Sequence, residues 1–180
     1  MAFARRAKAF GLNIIYTRSS KGGDSKSPLV EELNASQVDL ETLLRESDFV
    51  SLHCPYTEKT HHLIGARELQ MMKPQAVLIN TSRGKVVDQK ALIKHLKEKK
   101  IYGAGLDVFS DEPEVPDELK KLDNVVLTPH IGSACIETRR KMTDMAVEAI
   151  IDAFNQKKPQ HLVNEKAWQL FLKVHALSTK

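Results

Sequence analysis

The chain has 180 residues, 42% of them hydrophobic and 28% charged, and its 27 basic and 23 acidic side chains leave a formal net charge of +4. This composition is typical of a globular chain of about one domain, and it excludes an intrinsically disordered protein. No apolar run approaches the roughly 18 residues of a membrane span, and the lysine clusters carry no interleaved aromatic residues, so neither a membrane nor a nucleic acid is predicted as a partner.

The first half of the chain predicts three helices and two strands. In chain order they are a helix over 2–10, a strand over 13–16, a polar loop over 17–28, a helix over 38–48, a strand over 49–53 and a helix over 65–72. Gly11 follows the first helix at the position where the backbone commonly turns left-handed, and Asp39 stands where an N-cap would open the second helix.

The second half continues the alternation of strands and helices. The predicted elements are a strand over 76–82, a helix over 88–100, strands over 103–109 and 124–130, a long helix over 133–156, and an amphipathic segment over 165–176 that suits a helix. Most of the strands are near-continuous apolar runs, which indicates a parallel sheet covered on both faces. The predicted fold class is therefore α/β, a doubly wound parallel sheet of the Rossmann type.

Polar side chains follow each predicted strand at the point where it ends. These ends are Thr17-Arg18-Ser19-Ser20, His53-Cys54-Pro55, Ser82-Arg83-Gly84, Asp107 with Glu112 beyond it, and Thr128-Pro129-His130. Because ligands of an open parallel sheet bind beyond the carboxyl ends of its strands, these residues are predicted to converge on one rim. Arg83 would then face a ligand, and Gly84 would leave out a side chain that crowds that ligand.

An arginine, a histidine and acids on one rim can perform a limited chemistry. The guanidinium of Arg83 can hold a carboxylate through two hydrogen bonds, a geometry that lysine cannot match. The imidazole of His130 can pass a proton to an alkoxide, and the carboxylate of Glu112 can fix the tautomer of that imidazole. This combination suits the reduction of a 2-oxo acid when a nicotinamide supplies the hydride.

Each of these residues also has a purely structural interpretation. Arg83 can be a surface arginine that follows a strand, Glu112 can be a charged loop residue without a function, and Asp107 can cap the next segment. Most of the other histidines, His95 among them, are predicted to face solvent or to lie on a helix surface. No single residue therefore identifies the function, and the interpretation depends on the residues acting together.

The two cysteines give information about the cellular compartment and about metal binding. The two cysteines, Cys54 and Cys135, lie far apart and lack the spacing of metal ligands. This usage predicts no metal site and fits a reducing, cytoplasmic compartment.

The most specific motifs of the chain are SLHCPYTEKTHHLIG (51–65), MKPQAVLINTSRGKVVD (72–88), GAGLDVFSDEP (103–113) and NVVLTPHIGSA (124–134). In these motifs and in their order, the chain resembles the D-isomer-specific 2-hydroxyacid dehydrogenases, most closely the glyoxylate/hydroxypyruvate reductase branch. The resemblance spans nearly all of residues 1–164. It implies NAD(P)H-dependent reduction of glyoxylate or hydroxypyruvate, and a homodimer for the full-length enzyme.

The resemblance also implies roles for individual residues. Arg83 would hold the carboxylate and carbonyl of the substrate, His130 would donate the proton, and Glu112 would be the hydrogen-bonded partner of His130. Asp107 would bind the nicotinamide carboxamide. The remaining residues expected to line the cofactor are His53, Cys54, Pro55, Thr81 and Gly132.

The cofactor preference is predicted from the residues that follow the strand over 13–16. In an NAD-type unit an acid at this place receives the ribose hydroxyls, whereas this chain has Thr17, Arg18, Ser19 and Ser20 there. A phosphate would meet a cation and hydroxyl donors and no carboxylate, so NADP(H) is the predicted cofactor and NAD(H) the alternative. A merely polar loop is the structural interpretation.

The dinucleotide fingerprint G-x-G-x-x-G does not occur in the sequence. By the resemblance, Met1 lies in the helix that follows this fingerprint, so we expect the first strand, the glycine loop and the preceding substrate domain to be missing. Residues 1–158 are then predicted as a partial nucleotide-binding domain and 159–180 as a C-terminal tail. Two functions stay open: a short reductase form that is weak or inactive alone, and a catalytically inactive binding or assembly module.

Overall fold

The computed structural model describes residues 1–18 and 28–178 of the chain. Two units are distinguished, Met1–His130 and Ile131–Lys180. The boundary between these units follows residue 130, whereas the sequence predicts a domain over 1–158 and a tail over 159–180. That division into a domain and a tail stays a prediction. None of the helices in the described ranges combines the length and the apolar character that crossing a bilayer requires.

The first unit alternates strands and helices along its described residues. The strands are β1 (Ile15–Tyr16), β2 (Ser36–Gln37), β3 (Phe49–Leu52), β4 (Val77–Asn80), β5 (Gly103–Leu106) and β6 (Val125–Leu127). The helices are α1 (Ala2–Ala9), α2 (Pro28–Leu33), α3 (Leu40–Glu46), α4 (Ala66–Met71), α5 (Gln89–Lys97) and α6 (Asp117–Lys120), with 3-10 turns at Glu58–Thr60 and Gly84–Val86. Every strand predicted from the sequence is present, although each is shorter than its predicted range.

The strands form two parallel sheets. A four-stranded sheet has the order β3-β4-β5-β6, and a two-stranded sheet pairs β1 with β2. Val50 of β3 lies opposite Leu78 of β4, which in turn lies opposite Ala104 of β5. Because all four strands of the larger sheet run in one direction, their carboxyl ends meet at one edge. The parallel α/β class predicted from the sequence is confirmed.

The strand β2 is absent from the sequence prediction, as are the short helices α2 and α6. Ser36 and Gln37 are polar and exposed, so no apolar pattern marks them. They form a strand because the Ser36 N–H donates to Ile14 O at 3.2 Å and the Val38 N–H donates to Tyr16 O at 2.9 Å. Such a strand follows from its pairing partner rather than from its own side chains.

The core of the first unit packs helices against the four-stranded sheet. Leu78 of β4 is fully buried in one cluster with Leu44 of α3, Leu69 of α4, and Leu92 and Leu96 of α5. Each such side chain contributes roughly 1.5–3 kcal/mol when it is buried. This cluster therefore holds in place the strands whose ends carry the polar residues.

The buried position of His95 corrects the sequence prediction of a surface residue. His95 is only 5% exposed. It lies three residues after Leu92 on α5 and next to Leu96, so it shares the face of the helix that turns towards the core. Its Nδ1 hydrogen-bonds to Ala91 O at 2.9 Å, which satisfies one ring nitrogen inside the helix.

The helix ends follow the predicted capping residues. Gly11 has a φ of 80°, and the Leu12 N–H beyond it donates to Ala7 O at 3.2 Å, which closes α1 in a left-handed turn. The Asp39 carboxylate accepts the Thr42 N–H at 2.8 Å and so caps α3. Both capping predictions are confirmed.

The second unit contains two helices in its described residues, α7 (Ile136–Phe154) and α8 (Glu165–Ser178). They coincide with the helical segments predicted over 133–156 and 165–176. Trp168 of α8 is buried and stacks on Phe171, with ring centroids 5.1 Å apart. No residue of α7 is buried.

Candidate functional site

A cleft of about 1100 Å³ lies in the first unit at the carboxyl ends of the four-stranded sheet. This volume is slightly above the range of about 300–1,000 Å³ that is typical of small-molecule sites. Its walls are the segments that follow the strands: His53 to Tyr56 after β3, Thr81 to Lys85 after β4, Phe109 to Glu112 after β5, and His130 after β6. Seven residues singled out from the sequence thus line one cleft: His53, Cys54, Pro55, Thr81, Arg83, Glu112 and His130.

Arg83 reaches the cleft on a turn that is shaped by Asn80. The Asn80 side chain is buried at the end of β4, and its Oδ1 accepts the Ser82 N–H at 3.0 Å and the Ser82 hydroxyl at 2.8 Å. Its Nδ2 donates to Arg83 O at 3.0 Å. The guanidinium of Arg83 donates to Ser82 O at 2.6 Å. Sequence reasoning missed Asn80, although a polar residue closing an apolar run was the available signal.

Gly84 lines the cleft and is also required by the protein backbone. A Cβ atom at this position would lie 2.0 Å from both C and O of Phe109 and 2.5 Å from the Ser110 nitrogen. The segment that follows β5 therefore crosses directly over Gly84. The sequence did not reveal this reason for a glycine, and the room that Gly84 leaves for a bound molecule stays a prediction.

Glu112 and His130, which were both predicted as site residues, contact each other directly in the cleft. The His130 Nδ1–H donates to Glu112 Oε2 at 2.6 Å, and the Phe109 N–H donates to Glu112 Oε1 at 2.9 Å. Both carboxylate oxygens are therefore engaged. Since Nδ1 of His130 points to Glu112, Nε2 is the ring nitrogen that remains to exchange a proton with a ligand.

The environment of Glu112 favours its ionised form. Burial by itself raises the pKa of Glu112, but hydrogen bonds from His130 and Phe109, together with the positive charges of His130 and Arg83, outweigh it. The pKa of Glu112 therefore lies below the ordinary value of a glutamate. A carboxylate is thus maintained beside the imidazole.

This lowered pKa predicts how stability depends on pH. Glu112 contributes stability that is complete above its unfolded-state pKa and is lost as the pH falls through its lower folded-state pKa. We expect the free energy of unfolding of the native chain to fall more steeply across this acidic range than that of Glu112→Gln, which cannot ionise. Urea unfolding at a series of acidic pH values checks this, and parallel curves for the two proteins would contradict it.

Asp107 lies beside the cleft rather than in its wall. It is 6% exposed, and its Oδ1 accepts the Thr128 hydroxyl at 2.5 Å. Its N–H donates to Asn80 O at 3.0 Å, which ties the first residue after β5 to the end of β4. Thr128, which follows β6, therefore holds the carboxylate of Asp107, and the end of β4 holds its backbone.

His53 is held by an aromatic contact with the first helix. Its ring lies 5.3 Å from that of Phe3, and its Nε2 is 2.9 Å from the Ser51 hydroxyl. Burial and the positive N-terminal amine lower the pKa of His53, so its neutral form is favoured. His53 is thus suited to line an uncharged part of a ligand.

Several predicted residues are not among those that line this cleft. Thr17 and Arg18 follow β1, and neither lines the cleft. Ser19 and Ser20 lie outside the described residues. Gly132 belongs to the second unit and is exposed.

The turn after β3 supplies a wall residue that sequence reasoning did not single out. Tyr56 lines the cleft, and its hydroxyl is 3.3 Å from His61 Nδ1. His61 stacks on His62 with centroids 3.9 Å apart, and the His62 N–H donates to Lys85 O at 2.9 Å. The Tyr56 turn and the Arg83 turn are therefore fastened together. No pattern in the sequence joins these segments, which are more than 20 residues apart.

The cleft can bind a small carboxylate and move one proton. A guanidinium is the natural partner of a carboxylate, and an imidazole that is hydrogen-bonded to an ionised acid can donate and accept a proton. Arg83, Glu112 and His130 supply these groups from the segments that follow three different strands.

Comparison with known proteins gives a family match over most of the chain. The family described as D-isomer specific 2-hydroxyacid dehydrogenase, NAD binding domain, matches residues 1–132. The chain is also 53% identical over 164 residues to the glyoxylate reductase of Thermococcus litoralis, a match that covers 91% of this chain and 48% of that relative. The chain thus spans about half the length of the curated relatives it matches.

Two of the solved structures that are similar to this chain are glyoxylate reductases. A glyoxylate reductase from Paecilomyes thermophila is 37% identical with a TM-score of 0.80, over 91% of this chain and 48% of that one. An NADPH-dependent glyoxylate/hydroxypyruvate reductase from Sinorhizobium meliloti, solved with NADP and malonate, is 36% identical with a TM-score of 0.77, over 85% of this chain and 46% of that one.

Proposed function

The chain belongs to the D-isomer specific 2-hydroxyacid dehydrogenase family, and on that basis we propose that its cleft reduces a small 2-oxo acid, glyoxylate or hydroxypyruvate, to the 2-hydroxy acid with NAD(P)H. The observation that carries the proposal is the 2.6 Å bond between His130 and Glu112 in a cleft that Arg83 also lines. The chain spans about half the length of its relatives. The reductase activity is therefore proposed for a protein of the relatives' full length that contains this cleft.

The proposed roles follow from the charges of the three side chains. Arg83 binds the substrate carboxylate and polarises the adjacent carbonyl. His130 donates the Nε2 proton to the carbonyl oxygen, and Glu112 stabilises the imidazolium that carries this proton. When bound, the reduced nicotinamide supplies the hydride that forms the new C–H bond. The product leaves with one added hydride and one added proton, and His130 recovers its proton from solvent.

The residues near the cleft fit a nicotinamide. The buried carboxylate of Asp107, held at 2.5 Å by Thr128, is an acceptor for the N–H of a carboxamide. The uncharged form of His53, favoured by its lowered pKa, suits the turn against which the cofactor would lie. The other residues proposed to line the cofactor are Cys54, Pro55, Thr81 and Gly132.

For the cofactor, NADP(H) is proposed over NAD(H). The support is the sequence after β1, where Thr17, Arg18, Ser19 and Ser20 offer a cation and hydroxyls in place of an acid. The neighbour from Sinorhizobium meliloti contains NADP, whereas the family description names NAD. The homodimer and the cytoplasmic location predicted from the sequence stay predictions.

We expect Arg18→Glu to lower the affinity for NADPH relative to NADH by about tenfold or more, because one charge-assisted bond to the 2′-phosphate is lost and a repulsion replaces it. Fluorescence titration of both cofactors measures the ratio. The control is Arg67→Glu, which makes the same charge change on an exposed side chain of α4. An unchanged ratio would remove Arg18 from cofactor selection.

The second candidate is a catalytically inactive binding or assembly module that keeps the fold. The observation in its favour is that the 180 residues contain no G-x-G-x-x-G fingerprint. That fingerprint supplies the backbone N–H groups and the helix N-terminus that bind the pyrophosphate. The sequence therefore predicts much weaker NADPH binding by this chain than by a full-length relative.

One experiment separates the two candidates. A chimera is made in which this chain replaces the matching half of the Thermococcus litoralis glyoxylate reductase, and NADPH consumption is followed with and without glyoxylate. We expect the chimera to turn over and the 180-residue chain to bind NADPH more weakly than the chimera. A folded chimera that binds NADPH and does not reduce glyoxylate would overturn the proposed function and favour the binding module.

A further inference from the structure

Thr128 is hydrogen-bonded to two residues of the proposed site at once. Its hydroxyl donates to Asp107 Oδ1 at 2.5 Å, and its carbonyl oxygen accepts the His130 N–H at 3.0 Å. Its own N–H donates to O of Leu106, the residue before Asp107, at 2.9 Å. One residue after β6 therefore contacts both the acid that follows β5 and the histidine that is proposed to move the proton.

We propose that Thr128 is a positioning residue with two contacts. Its hydroxyl orients the Asp107 carboxylate towards the nicotinamide carboxamide, and its carbonyl oxygen fixes the backbone of His130. The inference rests on the proposed function, since Thr128 acts through Asp107 and His130 and not on the substrate. It adds to that function a residue whose hydroxyl and carbonyl oxygen serve two different parts of the reaction.

The hydroxyl of Thr128 restricts the rotation of Asp107. A carboxylate turns readily about its last bond, with a broad two-fold preference. A short, charge-assisted hydrogen bond from a half-buried hydroxyl removes this freedom. Asp107 is 6% exposed, so water does not readily replace the bond. A carboxamide N–H would then meet an acceptor in one orientation, which selects the orientation of the pyridine ring.

The carbonyl oxygen of Thr128 supports an unusual backbone conformation at His130. His130 has a φ of 52°, in the left-handed region that residues other than glycine rarely occupy. Such a conformation persists only when the surroundings determine it. Here the Thr128 carbonyl holds the backbone of His130, and Glu112 holds its ring at 2.6 Å. Pro129, whose ring limits its own φ, links Thr128 to His130.

The test compares two probes that differ only in the carboxamide. Reduced nicotinamide mononucleotide and its 3-acetylpyridine analogue, which lacks the amide N–H, are titrated by NMR into the 180-residue chain. We expect Thr128→Val, which replaces the hydroxyl by a methyl group, to weaken binding of the carboxamide probe by about tenfold and to leave the acetyl probe unchanged. Thr128→Ser, which keeps the hydroxyl, is expected to bind both probes as the native chain does.

The control is Thr143→Val, because the Thr143 hydroxyl donates to Arg139 O within α7 and Thr143 does not line the cleft. Equal weakening of both probes by Thr128→Val would show a purely structural role and overturn the inference, as would unchanged binding of the carboxamide probe. If Thr128→Val does not fold, Thr128→Ala gives the same comparison. The same titrations are made with the chimera. A chimera that binds neither probe overturns the proposed function together with this inference, whereas a chimera that binds the carboxamide probe equally well with and without Thr128→Val overturns the inference alone.

Discussion

Replacing His130 by alanine is expected to lower the rate of glyoxylate reduction by the chimera by about 10²- to 10⁴-fold, the range by which a positioned general acid accelerates a reaction. The imidazole is bound to Glu112 at 2.6 Å through Nδ1, so Nε2 is the nitrogen that gives its proton to the carbonyl oxygen. NADPH binding should survive, because the proposed cofactor contacts lie on other residues. Steady-state kinetics and a fluorescence titration of NADPH measure the two quantities.

The matched control for this variant is His161→Ala. His161 is an exposed histidine of the second unit and is not one of the residues that line the cleft. We expect its turnover to stay close to that of the parent chimera. Retained turnover in His130→Ala, or an equal loss in both variants, would remove His130 from the role of proton donor.

Replacing Arg83 by lysine is expected to lower kcat/KM for glyoxylate by about 10- to 100-fold, which corresponds to the loss of one hydrogen bond between charged groups. Lysine keeps the charge but cannot make the two parallel bonds of a guanidinium to a carboxylate. The turn built by Asn80 should persist, because Asn80 bonds to the backbone of Arg83 and not to its side chain.

The selectivity of this effect is the decisive readout. Glycolaldehyde has an aldehyde but no carboxylate, so its slow reduction should be little changed by Arg83→Lys, and the preference for glyoxylate should fall. Arg67→Lys makes the same exchange on an exposed side chain of α4 and serves as the control. An equal loss for both substrates would indicate that Arg83 acts on the fold of the cleft and not on the carboxylate.

Much of the fold follows from local patterns in the chain. Apolar runs such as residues 76–79 predict strands without knowledge of their neighbours, since their residues favour a covered sheet. Capping residues such as Gly11 and Asp39 act on the backbone next to them, which is why both were predicted correctly. The edge of the sheet at which polar residues gather also follows from the sequence, since parallel strands all end on the same side.

The features that the sequence did not predict concern contacts between distant parts of the chain. Gly84 has no Cβ because the backbone of Phe109 passes over it, and these residues are 25 positions apart. β2 is a strand because β1 lies beside it. His95 is buried because the face of α5 that carries it turns towards the sheet. None of these causes is present in the local sequence around the residue.

The amino-acid sequence by itself determined which groups are available for chemistry and at which strand ends they stand, because strand formation depends on nearby apolar residues. The tertiary structure decided which of these groups touch. Glu112 and His130 are separated by 18 positions, and only the pairing of β5 with β6 brings their side chains to 2.6 Å. The same pairing places Thr128 between Asp107 and His130, since hydrogen bonds across a sheet depend on the register of strands that are far apart in the chain.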